Sequence, residues 1–301
     1  MSIPAFGQHS RIGIVGLGSM GAGIAHNLLN KGFKLQLFAR RPAVAAPFVA
    51  AGAQAFPSAA SMARDCDLVI LSLSDAPAVE AVLFGDAGLA QGLRPGSCVV
   101  DTSTIAATSA RQFGARLQQL GISFLDAPVS GGQAGAQAGT LGCMAGGPAE
   151  VIDACREVLG AFCKIITRVG SLGAGQTVKA CNQVAVVGAL LGVADAMALA
   201  RAQGVDPALM REVVLGGTGR SYSMESHGPR IIEGNFAPGF RATLMRKDLR
   251  IALDTARATG AVLPIAALAE QMLDALCESG RADVDWSAIA LERLNSAPSS
   301  A

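Results

Sequence analysis

Polar and apolar positions along the chain change rhythm once, near Gly170. Ahead of that point, short apolar runs at 11–15, 34–38, 67–73, 97–101, 122–125, 140–145 and 164–169 read as strands. The run at 67–73 reads as a buried strand. Helical patterns lie between them at 22–31, up to Leu83, at 107–120 and at 148–161. Gly32 closes the first of these, and Asp75 and Pro148 open two of the later ones. Strand and helix in turn predict an α/β fold, a Rossmann-type, mostly parallel sheet covered by helices.

From Gln176 the apolar residues Val178, Val184, Val187, Leu190, Leu191 and Val193 recur too densely for an exposed helix. The pattern predicts one long, mostly buried helix. Beyond Ala200 only helical periodicity remains, at 207–215, 247–259, 264–279 and 286–295, and the small polar tail NSAPSSA is expected to fray. The expected organisation is therefore a sheet-containing domain over 1–169 and a linking helix plus an all-helical domain over 170–301.

A length of 301 residues suits two domains, and 51% hydrophobic against 16% charged residues supplies a large core and excludes disorder. With 24 basic and 23 acidic residues there is no electrostatic case for nucleic acid or for an anionic membrane surface. The seven cysteines form no CxxC pair and read as small buried hydrophobes of a reducing compartment. His9, His26 and His227 lie far apart with no ligand at metal spacing, so no metal site is expected. The N-terminus lacks a basic stretch followed by an apolar one. The longest uncharged apolar run, between Lys179 and Asp195, is short and broken by glycines for a membrane span. A soluble cytoplasmic protein is the expectation.

Gly16-Leu17-Gly18-Ser19-Met20-Gly21 follows the first strand and opens a helix, the context in which GxGxxG means a dinucleotide. Gly16 permits the tight turn, Gly18 lets a pyrophosphate approach, and Gly21 lets helix and strand pack closely. The second strand ends at Ala39-Arg40-Arg41-Pro42, and no Asp or Glu occurs between Arg11 and Arg64. An NAD site usually carries a carboxylate there for the ribose hydroxyls, whereas guanidinium forks suit a 2′-phosphate. NADP(H) is thus the preferred cofactor, with NAD(H) second; two solvated loop arginines are the competing account.

Three hydroxyls, Thr102-Ser103-Thr104, stand at a strand end where open α/β sheets bind ligands. Ser130, Gly131 and Gly132 begin a glycine-rich stretch that reads equally as a carboxylate cradle or as a flexible turn. Lys179 and Asn182 are three apart and share a face of the long apolar helix. A buried ammonium there needs a partner or a chemical role, unless the lysine snorkels to solvent.

Four pieces spread over nearly the whole chain resemble the β-hydroxyacid dehydrogenases. They are GIVGLGSMGAGIAHNL at 13–28, DAPVSGG at 126–132, GAGQTVKACNQ at 173–183 and KDLRIAL at 247–253. The run HGPRIIEGNFAPGF at 227–240 is most similar to the tartronate semialdehyde reductase branch. The resemblance implies reversible hydride transfer between NADPH and the carbonyl of a small carboxylate semialdehyde, tartronate semialdehyde to glycerate being the leading case. A dehydrogenase of 3-hydroxyisobutyrate or a related hydroxyacid or aldonate is the alternative.

It further implies Lys179 as the catalytic lysine, Asn182 as a substrate-orienting amide and Ser130, Gly131 and Gly132 as the substrate-carboxylate site. Leu73, Thr104 and Lys247 would line the cofactor, with Thr104 also at the substrate, and a homodimer or homotetramer is implied. The family more often has Asn-Arg where Ala39-Arg40-Arg41 stands and Leu-Pro where Leu73-Ser74 stands. Which arginine takes the phosphate therefore stays open. A lysine exchanges protons near neutrality when burial and nearby positive charge, here Lys247, draw its pKa down from about 10.4. A non-catalytic NADP-binding sensor on the same fold would have no reason to keep Lys179 and Asn182 on one face.

Overall fold

The computed structural model describes residues 4–291. The chain forms two compact units, one running to Lys179 and the other starting at Ala180.

The first unit opens with β1 (Arg11–Val15), α1 (Ser19–Asn30), β2 (Lys34–Phe38), α2 (Pro42–Ala50), β3 (Gln54–Ala55) and α3 (Ala59–Ala63). It continues with β4 (Leu68–Leu71), α4 (Ala76–Phe84), β5 (Cys98–Asp101), α5 (Ala107–Gln118) and β6 (Ser123–Asp126). It closes with β7 (Val129–Ser130), α6 (Gly132–Ala138), β8 (Leu141–Gly146), α7 (Ala149–Leu159) and β9 (Cys163–Gly170). The sheet order is β3-β2-β1-β4-β5-β6-β8-β7, with β9 on β8. Pairing is parallel from β3 through β6, and β8 runs antiparallel to β6 and β7. The order reverses at β1, so the crevice beyond the ends of β1 and β4 is where a doubly wound sheet binds its ligand.

The central strands are buried on both faces. Ile12, Ile14, Leu68, Ile70 and Val100 are fully buried on one face, and Val69, Leu71 and Val99 are fully buried on the other. Each such side chain contributes roughly 1.5–3 kcal/mol.

Segment 42–63 carried no expected element, yet it holds α2, β3 and α3. PAVAAPFVA is apolar almost throughout and contains Pro47, so no periodic face announces α2. The glycine-rich stretch after Ser130 is likewise ordered, as α6. It lies against α1 so closely that a Cβ on Gly23 would come within 2.7 Å of the Ala136 backbone.

The second unit is helical among its described residues. α8 (Ala174–Ala202) runs on from the first unit and is followed by α9 (Pro207–Leu215), α10 (Tyr222–Ser226), α11 (Gly228–Glu233), α12 (Ala242–Thr259) and α13 (Pro264–Leu276). A π-turn at Cys277–Arg281 and a 3₁₀ turn at Trp286–Ala290 close it. Val187, Leu190, Met197, Leu249, Leu273 and Ile289 form its core. α12 starts a turn before Lys247, where Arg241 bridges to Asp285 and the Ala242 N–H, which has no partner inside the helix, donates to the Val284 carbonyl at 2.9 Å. α13 stops at Leu276, and Gly280, at φ 83°, turns the chain. Of the helix expected at 286–295, the part past residue 291 lies outside the described residues, as does the polar tail.

α8 departs from expectation in two ways. It is 29 residues long, since Asp195 sits exposed on it without ending it. An 18-residue stretch of it has a mean hydropathy of 1.8, so by length and composition it is long and apolar enough to cross a membrane. Nor is it mostly buried: Val187, Leu190, Ala194 and Met197 face the core, while Ala185, Gly192 and Leu199 are exposed. Alanine and glycine carry too little apolar surface to mark which face turns inward. The cysteines need a matching correction, for Cys181 is exposed and Cys277 half-buried, the other five being buried.

Candidate active site

At the end of β1 each glycine of the first motif meets a different constraint. Gly16 has φ 98°, and a Cβ there would lie 2.1 Å from the Ser72 carbonyl oxygen. A Cβ on Gly21 would lie 1.8 Å from the Gly16 carbonyl oxygen. Above Gly18 a Cβ would meet nothing within 4 Å, and Gly18 itself is the exposed N-cap of α1. The first-turn N–H groups of α1, from Ser19 and Met20 onward, point out of the helix end and Leu17 is half-buried beside it. An open space before unpaired helix N–H groups suits a pyrophosphate. Just past β2, Arg40 and Arg41 are exposed and form no ion pair with the described residues. Arg41 is also the N-cap of α2. The residues present thus fit a nicotinamide dinucleotide.

The loops behind β4, β5 and β6 are wired to one another through buried polar groups. Asp101 accepts the Ser103 N–H at 2.9 Å, and the Ser103 hydroxyl accepts the Leu73 N–H at 2.9 Å. Thr102 donates to the Leu71 carbonyl at 2.6 Å. Thr104, half-buried, follows at the tip. Asp126, at the end of β6, accepts the Gly173 N–H at 2.7 Å and the Gln176 N–H at 2.8 Å, and so caps the start of α8. Burial pushes its carboxyl above the ordinary value, with the backbone N–H groups pulling the other way.

Ser130 ends β7, and Gly131 and Gly132 turn the chain into α6 with φ of 132° and 62°. Lys179 is buried, 8% exposed, in the second turn of α8. The nucleotide loop, Leu73, Thr104, Ser130–Gly132 and Lys179 all belong to the first unit. Asn182 and Lys247 belong to the second, where a chain of polar contacts joins them. Asn182 Nδ2 donates to Gln183 Oε1 at 2.9 Å, and Gln183 Nε2 donates to Asp248 Oδ2 at 2.7 Å. Lys247 Nζ lies 3.1 Å from Asp248 Oδ1.

The first unit matches a family model described as the NAD-binding domain of 6-phosphogluconate dehydrogenase over residues 11–170. Residues 173–292 match that of the NAD-binding region of NADP-dependent 3-hydroxyisobutyrate dehydrogenase. The chain is 36% identical over 279 residues to 2-hydroxy-3-oxopropionate reductase of Escherichia coli K12, covering 93% of this chain and 95% of that protein. It is 37% identical over 286 residues to NAD-dependent L-serine dehydrogenase of Pseudomonas aeruginosa, covering 93% and 96%. The crystal structure of 3-hydroxyisobutyrate dehydrogenase from Salmonella typhimurium superposes with a TM-score of 0.86 at 34% identity, covering 94% of this chain and 99% of that one. The chain belongs to the β-hydroxyacid dehydrogenase family.

It is accordingly a nicotinamide-dependent oxidoreductase acting on the CH–OH group of hydroxyacids. In this dehydrogenase several buried polar residues do more than sequence reading assigned to them. Asp126 and Gln176 were visible only as letters inside motifs, and Gln183 and Asp248 as neighbours of Asn182 and Lys247. All four are buried. For Gln176 and Gln183 a polar residue inside an apolar helix was the available signal, since such groups seek partners. Which partners it finds is a matter of three-dimensional packing.

Proposed function

We propose that this enzyme is an NADPH-dependent reductase of small carboxylate semialdehydes, with tartronate semialdehyde, reduced to glycerate, as its leading substrate. The observation that carries the reading is Lys179, a buried lysine in the same unit as the nucleotide loop and Ser130. A bound nicotinamide supplies the hydride in reduction and accepts it in oxidation. Lys179 gives its proton to the carbonyl oxygen as that oxygen gains charge, and takes it back in the opposite direction. Ser130 and the backbone N–H groups of Gly131 and Gly132 bind the substrate carboxylate, and Asn182 orients the hydroxyl. Thr104 and Lys247 complete the surroundings of cofactor and substrate, together with Leu73. Substrate, not nucleic acid or membrane, is the partner, and a cytoplasmic location goes with the free thiols.

Lys179→Ala is expected to lower kcat by about 10³-fold while NADPH affinity changes little. Normal turnover by that variant ends the assignment. For the cofactor, Arg40→Ala and Arg41→Ala each separate the two nucleotides. Loss of a charged hydrogen bond to phosphate weakens NADPH binding roughly 10-fold or more and leaves NADH untouched. Equal losses for both cofactors would remove the 2′-phosphate role.

A 3-hydroxyisobutyrate or related hydroxyacid dehydrogenase is the second reading, favoured by the likeness to the Salmonella typhimurium enzyme. Rates with tartronate semialdehyde, glyoxylate, succinic semialdehyde and methylmalonate semialdehyde decide between them. Exposed Leu199, Leu209, Val213 and Ile265 in the second unit support self-association into a dimer or tetramer, which light scattering measures.

A further inference from the structure

We infer that Gln176 is a positioning residue, which locks the Thr104 loop to the turn of α8 that carries Lys179. The inference rests on the reading of Lys179 as the proton-transfer group.

Gln176 is 2% exposed, and both ends of its amide are engaged. Oε1 accepts the Ile105 N–H at 3.1 Å, and Nε2 donates to the Ser103 carbonyl at 2.8 Å. The two contacts bracket Thr104. The backbone N–H of Gln176 meets Asp126 at 2.8 Å, so the same residue is fixed to the end of β6. Ser103 in turn holds Leu73. Gln176 thereby joins the loop behind β5 through its side chain and the end of β6 through its backbone, and Ser103 extends the link to the loop behind β4. Lys179 follows three residues later, on the same helix face.

The chemistry demands an amide. The site needs one acceptor and one donor at the same reach, for a buried N–H and a buried carbonyl that would otherwise lose their partners. Ionised glutamate has only acceptors and methionine offers no strong group. A side chain serving the core alone would, when altered, cost stability and nothing else. A positioning residue also sets the register between Lys179 and the loop. Displacement of about 1 Å at a reacting group lowers turnover by roughly 100-fold.

The test compares Gln176→Glu and Gln176→Met with the wild-type full chain. In Gln176→Glu the ionised carboxylate keeps the Ile105 contact and is repelled by the Ser103 carbonyl. Once protonated it can donate again. The kcat of this variant, taken as a ratio to wild type at each pH, is expected to be down roughly 10- to 100-fold on the alkaline side, where the buried carboxyl is ionised, and to recover as pH falls. The dissociation constant for NADPH should stay within about threefold, because the glycine cradle does not involve Gln176. Gln176→Met should be slow at every pH.

An unchanged kcat in folded Gln176→Met overturns the inference, as does a pH-independent loss in Gln176→Glu that matches an equal loss of NADPH binding. Should Gln176→Met fail to fold, the acid recovery of Gln176→Glu decides alone. A separate measurement needs no substrate: the rate at which an amine-reactive ester labels Lys179, located by mass spectrometry, against exposed Lys164 as internal reference. Faster labelling of Lys179 in the variants with Lys164 unchanged supports the lock, and equal rates refute it. If wild type turns over no hydroxyacid or semialdehyde, the proton-transfer reading falls, while the labelling result still decides whether Gln176 holds Lys179.

Discussion

Each unit of this dehydrogenase buries a carboxylate close in sequence to residues of the candidate site, and the two are satisfied by different means. Asp126 in the first unit is met by the backbone, through the N–H groups of Gly173 and Gln176. Asp248 in the second is met by side chains, Gln183 and Lys247. Backbone donors need room rather than identity, and the room comes from glycine. A Cβ on Gly146 would lie 2.3 Å from Asp126 Oδ1, and one on Gly175 would lie 2.8 Å from Oδ2. The first carboxylate is therefore sensitive to added bulk around it, and the second to loss of particular functional groups.

Gly175→Ala tests the first half of that contrast and carries the largest expected effect. Its Cβ would also sit 2.4 Å from the Met144 carbonyl oxygen and 2.6 Å from that of Asp126, neither of which can yield cheaply. Overpacking of this kind costs about 3 kcal/mol, and denaturant unfolding should show it together with a fall in kcat. A variant as stable as wild type would mean that α8 can start elsewhere.

Asp248→Asn tests the second half. The neutral amide keeps the volume but weakens the charged contacts to Gln183 and Lys247, for an expected loss of about 2 kcal/mol. Cofactor affinity, measured beside unfolding, should move less than kcat/KM, because Asn182 is held through Gln183. A variant matching wild type in both stability and kcat/KM would show that Asn182 and Lys247 do not depend on that junction.

The smallest effect belongs to His227, packed edge-on against Trp286 with ring centroids 5.0 Å apart. Burial lowers its pKa below the ordinary value, the nearby Asp285 acting in the opposite sense. Between that lowered value and about 6.5 the unfolded chain binds a proton that the folded chain does not. Stability is then fully present above about pH 6.5 and falls as pH drops toward the lowered value. Thermal midpoints of wild type should decline through that window, and those of His227→Phe should decline less. Parallel curves would assign the acid sensitivity to other groups.

Much of the first unit was legible in the chain because its signals are local. GxGxxG between strand and helix states a turn, an open approach and a close packing contact, and Gly16, Gly18 and Gly21 meet those three conditions in turn. α2 was not legible, since a segment apolar on every side has no period to read. The glycine stretch after Ser130 stayed open between cradle and turn, because helix propensity is low there and α6 depends on its packing against α1. Lys179 and Asn182 could be placed on one face by spacing alone. Their roles came from resemblance, since nothing local distinguishes a reacting lysine from one that reaches solvent.

By itself the sequence determined the α/β class, the nucleotide loop and the helical second unit, because each is encoded by neighbours within a few turns or strand lengths. Only the tertiary structure decided that Gln176 brackets Thr104, that Asp126 caps α8 and that Asp248 joins Gln183 to Lys247. Apart from the Lys247–Asp248 pair, which are neighbours in the chain, those contacts link residues 50 to 73 positions apart. Burial forces each polar group to find a partner, and which partner stands within reach depends on how the packed elements bring distant segments together.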